Sequence, residues 1–453
     1  MYYVFIVTIL LLFFRTVYST LQLLTSIYWL EKNRHKDISI PNEDIQFFIL
    51  IPVLREQKIL ENTVNNFLKL DYKKTKITIF LISTEKENLD AHGKKYFGYT
   101  TMDLIKKIKN QTNAIHKKQI IKHIHYPHTT GKMVDQLNFA LEQINETTKK
   151  REGVFFAIYN ADSKPHIDSF NKVSALARNK KIRVFQQSSL FLSNFSDMEK
   201  ESWLSEKYLK TNAVLHSRWT LAHEIPRMLR QSFFLNTYKK RFFLSHCVGH
   251  GLFLRADLVT DIGKIPDTTM TEDLFLGYNL SLLGESINPV PVLENAEAPN
   301  NFIGALKQKY VWFFGPLDHF NYERFFKLKY GTKVNSILIK WFTLQGILPA
   351  IAWLLMGWVL IAVLIYPIVL GDHWLLLVSM LIIILYGPIG YLLVMIYAKK
   401  IGLLDARISD YFWIPVFIIP TVFLHSLPPI YSIFSKSRKF FTGKDPDKPK
   451  TER

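Results

Sequence analysis

Three short polar clusters in the middle of this 453-residue chain have the residue types and spacing to do chemistry: Gly131-Lys132, Asn160-Ala161-Asp162 and Thr271-Glu272-Asp273. Asp162 follows an apolar run and precedes the turn Ser163-Lys164-Pro165. A carboxylate there can hold Mg²⁺ or Mn²⁺, ions that commonly bridge a protein carboxylate to substrate phosphates. It can equally cap the helix that follows. Gly131 lets backbone approach a ligand, and a helix starting at VDQLNFAL would favour an anion near Lys132. The spacing is not a Walker motif. Glu272 and Asp273 precede LFLGYNLSLLG, whose apolar positions have helical spacing. They could act as acid or base, or could simply sit at the favourable positive end of a helix capped by Thr271. Gly249-His250-Gly251 reads as a flexible turn, where a lone histidine is more often structural than catalytic. Gln308 and Trp312 lie four apart, hence on one helical face, a spacing that ordinary packing also produces.

These residues need a scaffold, and the apolar pattern suggests one. QFFILIPV at 46–53 reads as a buried strand. Ile59, Leu60, Val64, Phe67 and Leu68 then recur at helical spacing between Glu56 and Leu70. ITIFLIS at 77–83, VFFAIYNAD at 154–162 and IRVFQQSS at 182–189 read as further strands. Strands alternating with helices predict an α/β fold with a mostly parallel sheet and helices on its faces. Ligands gather at the carboxyl ends of such strands, and Pro52, Glu56, Glu85 and Asp162 all fall there. The lysine-rich residues 94–125 show little apolar periodicity and read as a solvated or membrane-facing helix. Residues 197–243 carry a helical run with Trp203, Arg218, Trp219 and Arg227, whose pattern assigns no chemistry.

The ends of the chain are apolar. Residues 1–30 are long enough to span a bilayer if Arg15 is included, at an insertion cost of roughly 2.5–3.5 kcal/mol. No basic region precedes this run and no small-residue cleavage site follows it, so a removed signal peptide is not expected. Residues 344–369, 374–397 and 411–434 are each long enough to cross. Lys399, Lys400 and Arg407 place their loop on the cytoplasmic side. Pro415, Pro420, Pro428 and Pro429 predict an interrupted last segment, re-entrant or interfacial, with the basic tail inside. The linear reading is a membrane helix at 1–30, a catalytic domain at 46–330, membrane helices at 337–434 and a basic tail at 435–453. The net charge of +19 comes without a nucleic-acid motif. Anionic membrane lipid or a nucleotide diphosphate explains it better than nucleic acid. A single cysteine, Cys247, excludes an internal disulfide and a cysteine-based zinc site.

Taken together and in this order, the motifs resemble family-2 glycosyltransferases, specifically the membrane-embedded branch that includes cellulose, chitin and hyaluronan synthases. The resemblance rests on FFILIPVLRE, GKMVDQLNFAL, Asn160-Ala161-Asp162, the segment HGLFLRADLVTDIGKIPDTTMTEDLFLGYNL, and LKQKYVW. It implies a GT-A-like catalytic domain, cytoplasmic at an integral membrane protein. It implies a nucleotide-sugar donor, a UDP-sugar by analogy, and a glycan or lipid-linked acceptor. Asp162 would hold Mg²⁺ or Mn²⁺ on the donor diphosphate, and Asp273 would be the general base of an inverting transfer. Pro52, Glu56, Glu85, Lys132 and Asn160 would surround the nucleotide. His250, Gly251, Glu272, Gln308 and Trp312 would line the acceptor site. Two departures stand out: Asn160 replaces the first acid of Asp-x-Asp, and Val311 replaces the arginine of Gln-x-x-Arg-Trp. They leave open single-sugar transfer to polyprenyl phosphate or lipid, and a non-catalytic partner subunit.

Overall fold

The computed structural model describes residues 2–36, 45–73, 76–89, 94–148, 151–198, 202–331 and 334–442. In chain order the first half holds α1 (Tyr2–Arg34), β1 (Gln46–Pro52), α2 (Leu60–Leu68), β2 (Ile77–Thr84), α3 (Thr101–His116), β3 (Ile121–Tyr126), α4 (Met133–Thr147), β4 (Val154–Ile158), α5 (Ser169–Leu176), β5 (Val184–Gln186), β6 (Ser189–Leu190), α6 (Trp203–Trp219) and α7 (Ile225–Tyr238). The second half holds β7 (Leu252–Arg255), α8 (Ala256–Ile262), α9 (Glu272–Leu283), β8 (Ile287–Pro289), β9 (Glu294–Asn295), α10 (Phe302–Leu317), α11 (His319–Tyr330), α12 (Ser336–Leu370), α13 (His373–Ile384), α14 (Gly390–Lys400) and α15 (Ile408–Thr442). The chain divides into a sheet unit, Lys32–Ser188 with Gln231–Glu294, and a helical unit of Met1–Glu31, Ser189–Arg230 and Asn295–Arg453.

The sheet unit is built on seven strands in the order β3-β2-β1-β4-β7-β5-β8. The first four are parallel. β7 runs antiparallel to both β4 and β5, and β5 pairs parallel with β8. The expected mostly parallel sheet is present, with one reversed strand near its middle. Its core is aromatic. Phe47 meets Phe170 edge-on at 4.8 Å, and Phe170 meets Phe253 at 5.4 Å. Such pairs add about 0.5–1.5 kcal/mol beyond area burial.

Several local expectations need correction. α3 is not a solvated helix: Leu104, Ile105 and Ile108 are buried in the core, while Lys106 and Lys107 stay exposed. Three apolar residues at helical spacing suffice to seat it, and a Thr100–Asp103 capping box starts it. The following segment forms β3, an edge strand. The strand expected at 154–162 ends at Ile158, leaving Asn160–Asp162 in a turn closed by Ser163. The helix expected from Glu56 begins at Leu60.

In the helical unit, Tyr2–Arg34, Ser336–Leu370, His373–Lys400 and Ile408–Arg438 are each long and apolar enough to cross a membrane, which fits membrane insertion. Arg15 lies exposed on α1. The interruption expected in the last segment does not occur, for α15 runs unbroken through all four prolines. Neighbouring groups supply what proline removes. Pro429 has no N–H for the His425 carbonyl, and the Trp353 indole donates to that carbonyl instead at 2.8 Å. The last tail residues, 443–453, lie outside the described residues.

Candidate active site

Site residues of the sheet unit are held by side chains that no motif contains. Strand β1 ends at Pro52, whose successor Val53 donates to the Ile82 carbonyl at 2.9 Å. The turn that follows has Arg55 at φ 58°. Its backbone N–H donates to Glu87, which also accepts from the Thr101 N–H at 3.4 Å. The Glu56 N–H donates to Thr101 Oγ1 at 3.0 Å. Glu87 is 2% exposed, and this buried carboxylate orders the turn carrying Glu56.

At the end of β2, Glu85 is already engaged. It accepts from Asn88 at 2.7 Å and meets His125 Nε2 at 2.8 Å. These two bonds hold its carboxyl below the usual range. His125 Nδ1 in turn lies 2.9 Å from Ser83 Oγ, which is 2.7 Å from His123 Nε2. A four-member relay therefore runs across β2 and β3. Burial, and then His125, push His123 down to about 4.

Lys132 caps α4 after Gly131, which adopts φ 99°. Lys86 donates to the Gly131 carbonyl. The Lys132 ammonium donates to the Thr269 carbonyl at 3.2 Å. Lys132 thus ties its own turn to the loop that leads into Thr271-Glu272-Asp273.

On the other side, the Gly249-His250-Gly251 turn is fixed by two glutamines of the β5 end. The Gln187 N–H donates to the Gly251 carbonyl at 2.7 Å, and the Gln186 amide donates to the His250 carbonyl at 2.8 Å. Gly251 has φ 64°, and a Cβ there would come within 2.6 Å of the Gln187 carbonyl oxygen, so only glycine fits. A Cβ on Gly249 would lie 3.5 Å from Asp273 Oδ2, which places this turn beside the expected base. Asp273 stands in the first turn of α9, with Oδ1 accepting from the Leu274 N–H at 2.8 Å. Glu272 beside it is buried. Thr271 makes no side-chain cap bond. Farther along α9, Gly277 allows the helix to approach the His246–Cys247 backbone, where a Cβ would be 2.4 Å from the Cys247 nitrogen. Burial, and then Asp273, push the Cys247 thiol up.

One carboxylate joins the two halves. Glu294, 1% exposed, accepts from the Lys164 N–H at 3.2 Å and meets His250 Nδ1 at 2.9 Å. Lys164 is two residues beyond Asp162, and His250 is next to the turn residue facing Asp273. The Asp162 loop and the Asp273 neighbourhood are therefore linked through a single buried side chain. Glu294 sits in a two-residue strand with no motif around it, and nothing in the sequence pattern marks it.

For a divalent ion, the residues fit a donor set shared with substrate. Asn160-Ala161-Asp162 supplies one carboxylate, and among the described residues no three His, Cys, Asp or Glu side chains converge. Ions such as Mg²⁺ are normally held by one or two carboxylates plus substrate phosphates rather than by a protein cage.

Gln308 and Trp312 lie elsewhere, on α10 of the helical unit. Gln308 is buried, while Trp312 is 37% exposed and packs 5.0 Å from the His216 ring. Val311, standing where the resemblance expects arginine, is buried. An apolar side chain suits that packed position.

A family model described as "Glycosyl transferase family group 2" matches residues 207–398. That stretch covers Asp273, Gln308 and Trp312 but not Asp162. The chain is similar to a mannosyltransferase from Pyrobaculum calidifontis, solved with GDP-Man and Mn²⁺, at 12% identity and TM-score 0.45, over 93% of this chain and 99% of that one. It is also similar to S. aureus TarS 1-349, at 12% identity and TM-score 0.36, over 88% and 92% of the two chains. A second structure of that protein contains UDP-GlcNAc, with 11% identity, TM-score 0.37, and coverage of 88% and 93%. No curated protein matches the sequence.

Proposed function

We propose that this chain is an inverting glycosyltransferase that moves a sugar from a nucleotide-diphosphate donor to a glycan or lipid-linked acceptor at the cytoplasmic membrane face. The family-group-2 match supports glycosyl transfer. The observation that carries the site is the buried Glu294, which links the loop of Asp162 to the turn beside Asp273.

In this reading Asp273 accepts the proton of the acceptor hydroxyl as its oxygen bonds to the anomeric carbon. The bond from that carbon to the diphosphate oxygen breaks, and the nucleoside diphosphate leaves with the electron pair. Attack from the opposite face inverts the centre. Asp162 would hold a divalent ion on the diphosphate, and the ion supplies charge neutralisation for the leaving group. Lys132, at a helix start and hydrogen-bonded to the Thr269 carbonyl, adds positive charge near the donor. Pro52, Glu56, Glu85 and Asn160 border the nucleotide. His250, Gly251 and Glu272 face the acceptor.

The test is donor turnover and nucleotide binding by purified protein in detergent, across a panel of nucleotide sugars and divalent ions. Asp273→Asn should abolish transfer and keep nucleotide affinity. Wild-type turnover by that variant would remove Asp273 as base.

A further inference from the structure

Helices α11 and α12 of the helical unit enclose an open groove of about 640 Å³, within the size range of small-ligand sites. Its two walls are joined by Glu323 of α11. That carboxylate accepts from Lys327 Nζ at 2.6 Å on its own helix and from Thr343 Oγ1 at 3.1 Å on the other. Lys327 is thereby neutralised. Two further cations line the groove, Arg324 on α11 and Lys340 on α12. Both are exposed, and neither has an ion pair among the described residues. Three cations against one carboxylate leave the groove with two positive charges in excess.

Surplus charge on a helix is ordinarily met by water. Here it opens onto apolar surface. Lys340 is the only charged residue of α12, and α12 is long and apolar enough to cross a membrane. Leu344 and Ile347 line the groove four and seven residues beyond Lys340, on the same helical face. Leu348 and Ile351 continue that stripe, 52% and 47% exposed. From α11, Phe320 adds a ring that is 68% exposed. One face of α12 thus runs from a charged end into an apolar stripe. A soluble anion would leave Phe320, Leu344 and Ile347 uncovered, and a lipid without net charge would leave the excess charge unmatched. A phosphodiester suits the charged end, since arginine grips it as a planar fork and lysine as a point charge.

We propose that this groove holds an anionic phospholipid of the surrounding bilayer, with its phosphate between Arg324 and Lys340 and an acyl chain along Phe320, Leu344 and Ile347. The lipid is a resident of the site and is not consumed. None of these residues belongs to the transferase reading, so the site stands or falls independently of it. Once filled, the groove gains a second link between α11 and α12 beside the one from Glu323 to Thr343.

The experiment uses the full chain in detergent micelles. Phosphatidylglycerol, phosphatidylcholine with the same acyl chains, and sn-glycerol 3-phosphate are titrated separately, and native mass spectrometry counts the molecules bound. Wild type should bind phosphatidylglycerol about tenfold more tightly than phosphatidylcholine, or better, as two interfacial cations would give. Its unfolding midpoint should rise with that lipid. Arg324→Gln with Lys340→Gln should abolish the preference and leave the lipid-free midpoint unchanged. Each substitution alone should lower the preference about fivefold, a reading that survives if the pair folds poorly. Lys329→Gln with Lys399→Gln removes equal charge outside the groove and should retain the preference. Equal affinity for the two lipids, a wild-type preference in the groove variants, or equal loss in both pairs would overturn the site. Glycerol 3-phosphate binding as tightly as phosphatidylglycerol would overturn the lipid occupant in favour of a soluble anion.

Discussion

In the sheet unit, Glu85, Glu87 and Glu294 each meet named donors, whereas in the helical unit the buried side chains of Lys309, His216 and Asn212 have no hydrogen bond among the described residues. The contrast separates two kinds of polar interior. A carboxylate that is already bonded holds a loop in place before any ligand arrives, and preorganisation of this kind is what a reacting site needs. A buried amine without a partner costs stability until something binds it. The sheet unit therefore holds its buried carboxylates ready-bonded, and the helical unit keeps buried polar groups that cost it stability.

The sharpest test of that division is Asp273→Asn. General-base catalysis contributes about 10²–10⁴-fold, so initial-rate assays should show a loss of that order with nucleotide affinity unchanged. Next in size is Glu294→Gln. It removes charge-assisted bonds worth about 1.5–3 kcal/mol, and should lower both the unfolding midpoint and the turnover number. A variant with normal turnover would show that the link between the two loops is dispensable. Asp162→Ala should weaken nucleotide binding roughly tenfold or more in the presence of Mn²⁺, the loss expected for one charged contact. Equal affinity with and without the ion in both proteins would reject that role.

Smaller effects bear on both units. Lys309→Met keeps side-chain volume and removes a buried, unbonded amine, and should raise stability by about 1–3 kcal/mol in ligand-free protein. The pH dependence of stability sharpens the comparison. Lys309 is depressed in the folded state and returns to about 10.4 on unfolding. The unfolded chain then binds more protons below that pH, so stability rises with pH up to about 10. That alkaline rise should vanish in Lys309→Met. His123 in the sheet unit falls to about 4 when folded against about 6.5 unfolded. Its contribution is lost as pH drops from about 6.5 to 4, and the slope should disappear in His123→Gln, as followed by urea unfolding.

How much of this was legible beforehand varies with the physics of each element. β1 and β2 were readable because mostly apolar, β-branched and aromatic runs of seven and eight residues have few alternatives to a buried strand. α3 was misread because its three lysines are as many as the apolar residues that seat it. The unbroken α15 was not readable, since proline tolerance depends on a donor such as Trp353 arriving from another helix. Gly131-Lys132 at a helix start was visible, as was the Glu272-Asp273 pair in a first helical turn. Glu87, Ser83 and His125 carried no signal, because their partners lie in other elements.

By itself, the sequence determined strands β1, β2 and β4, the four apolar helices and the short motifs that could do chemistry. Those properties depend on nearest neighbours and on periodicity, which a linear chain displays. Only the tertiary structure decided that Glu294 joins the Lys164 backbone to His250, and that Lys309 is buried 5.8 Å from the centre of the Trp312 ring. Hydrogen-bond satisfaction and desolvation are set by what surrounds a group in space, and residues 130 positions apart, Lys164 and Glu294, leave no trace of that meeting in the order of the chain.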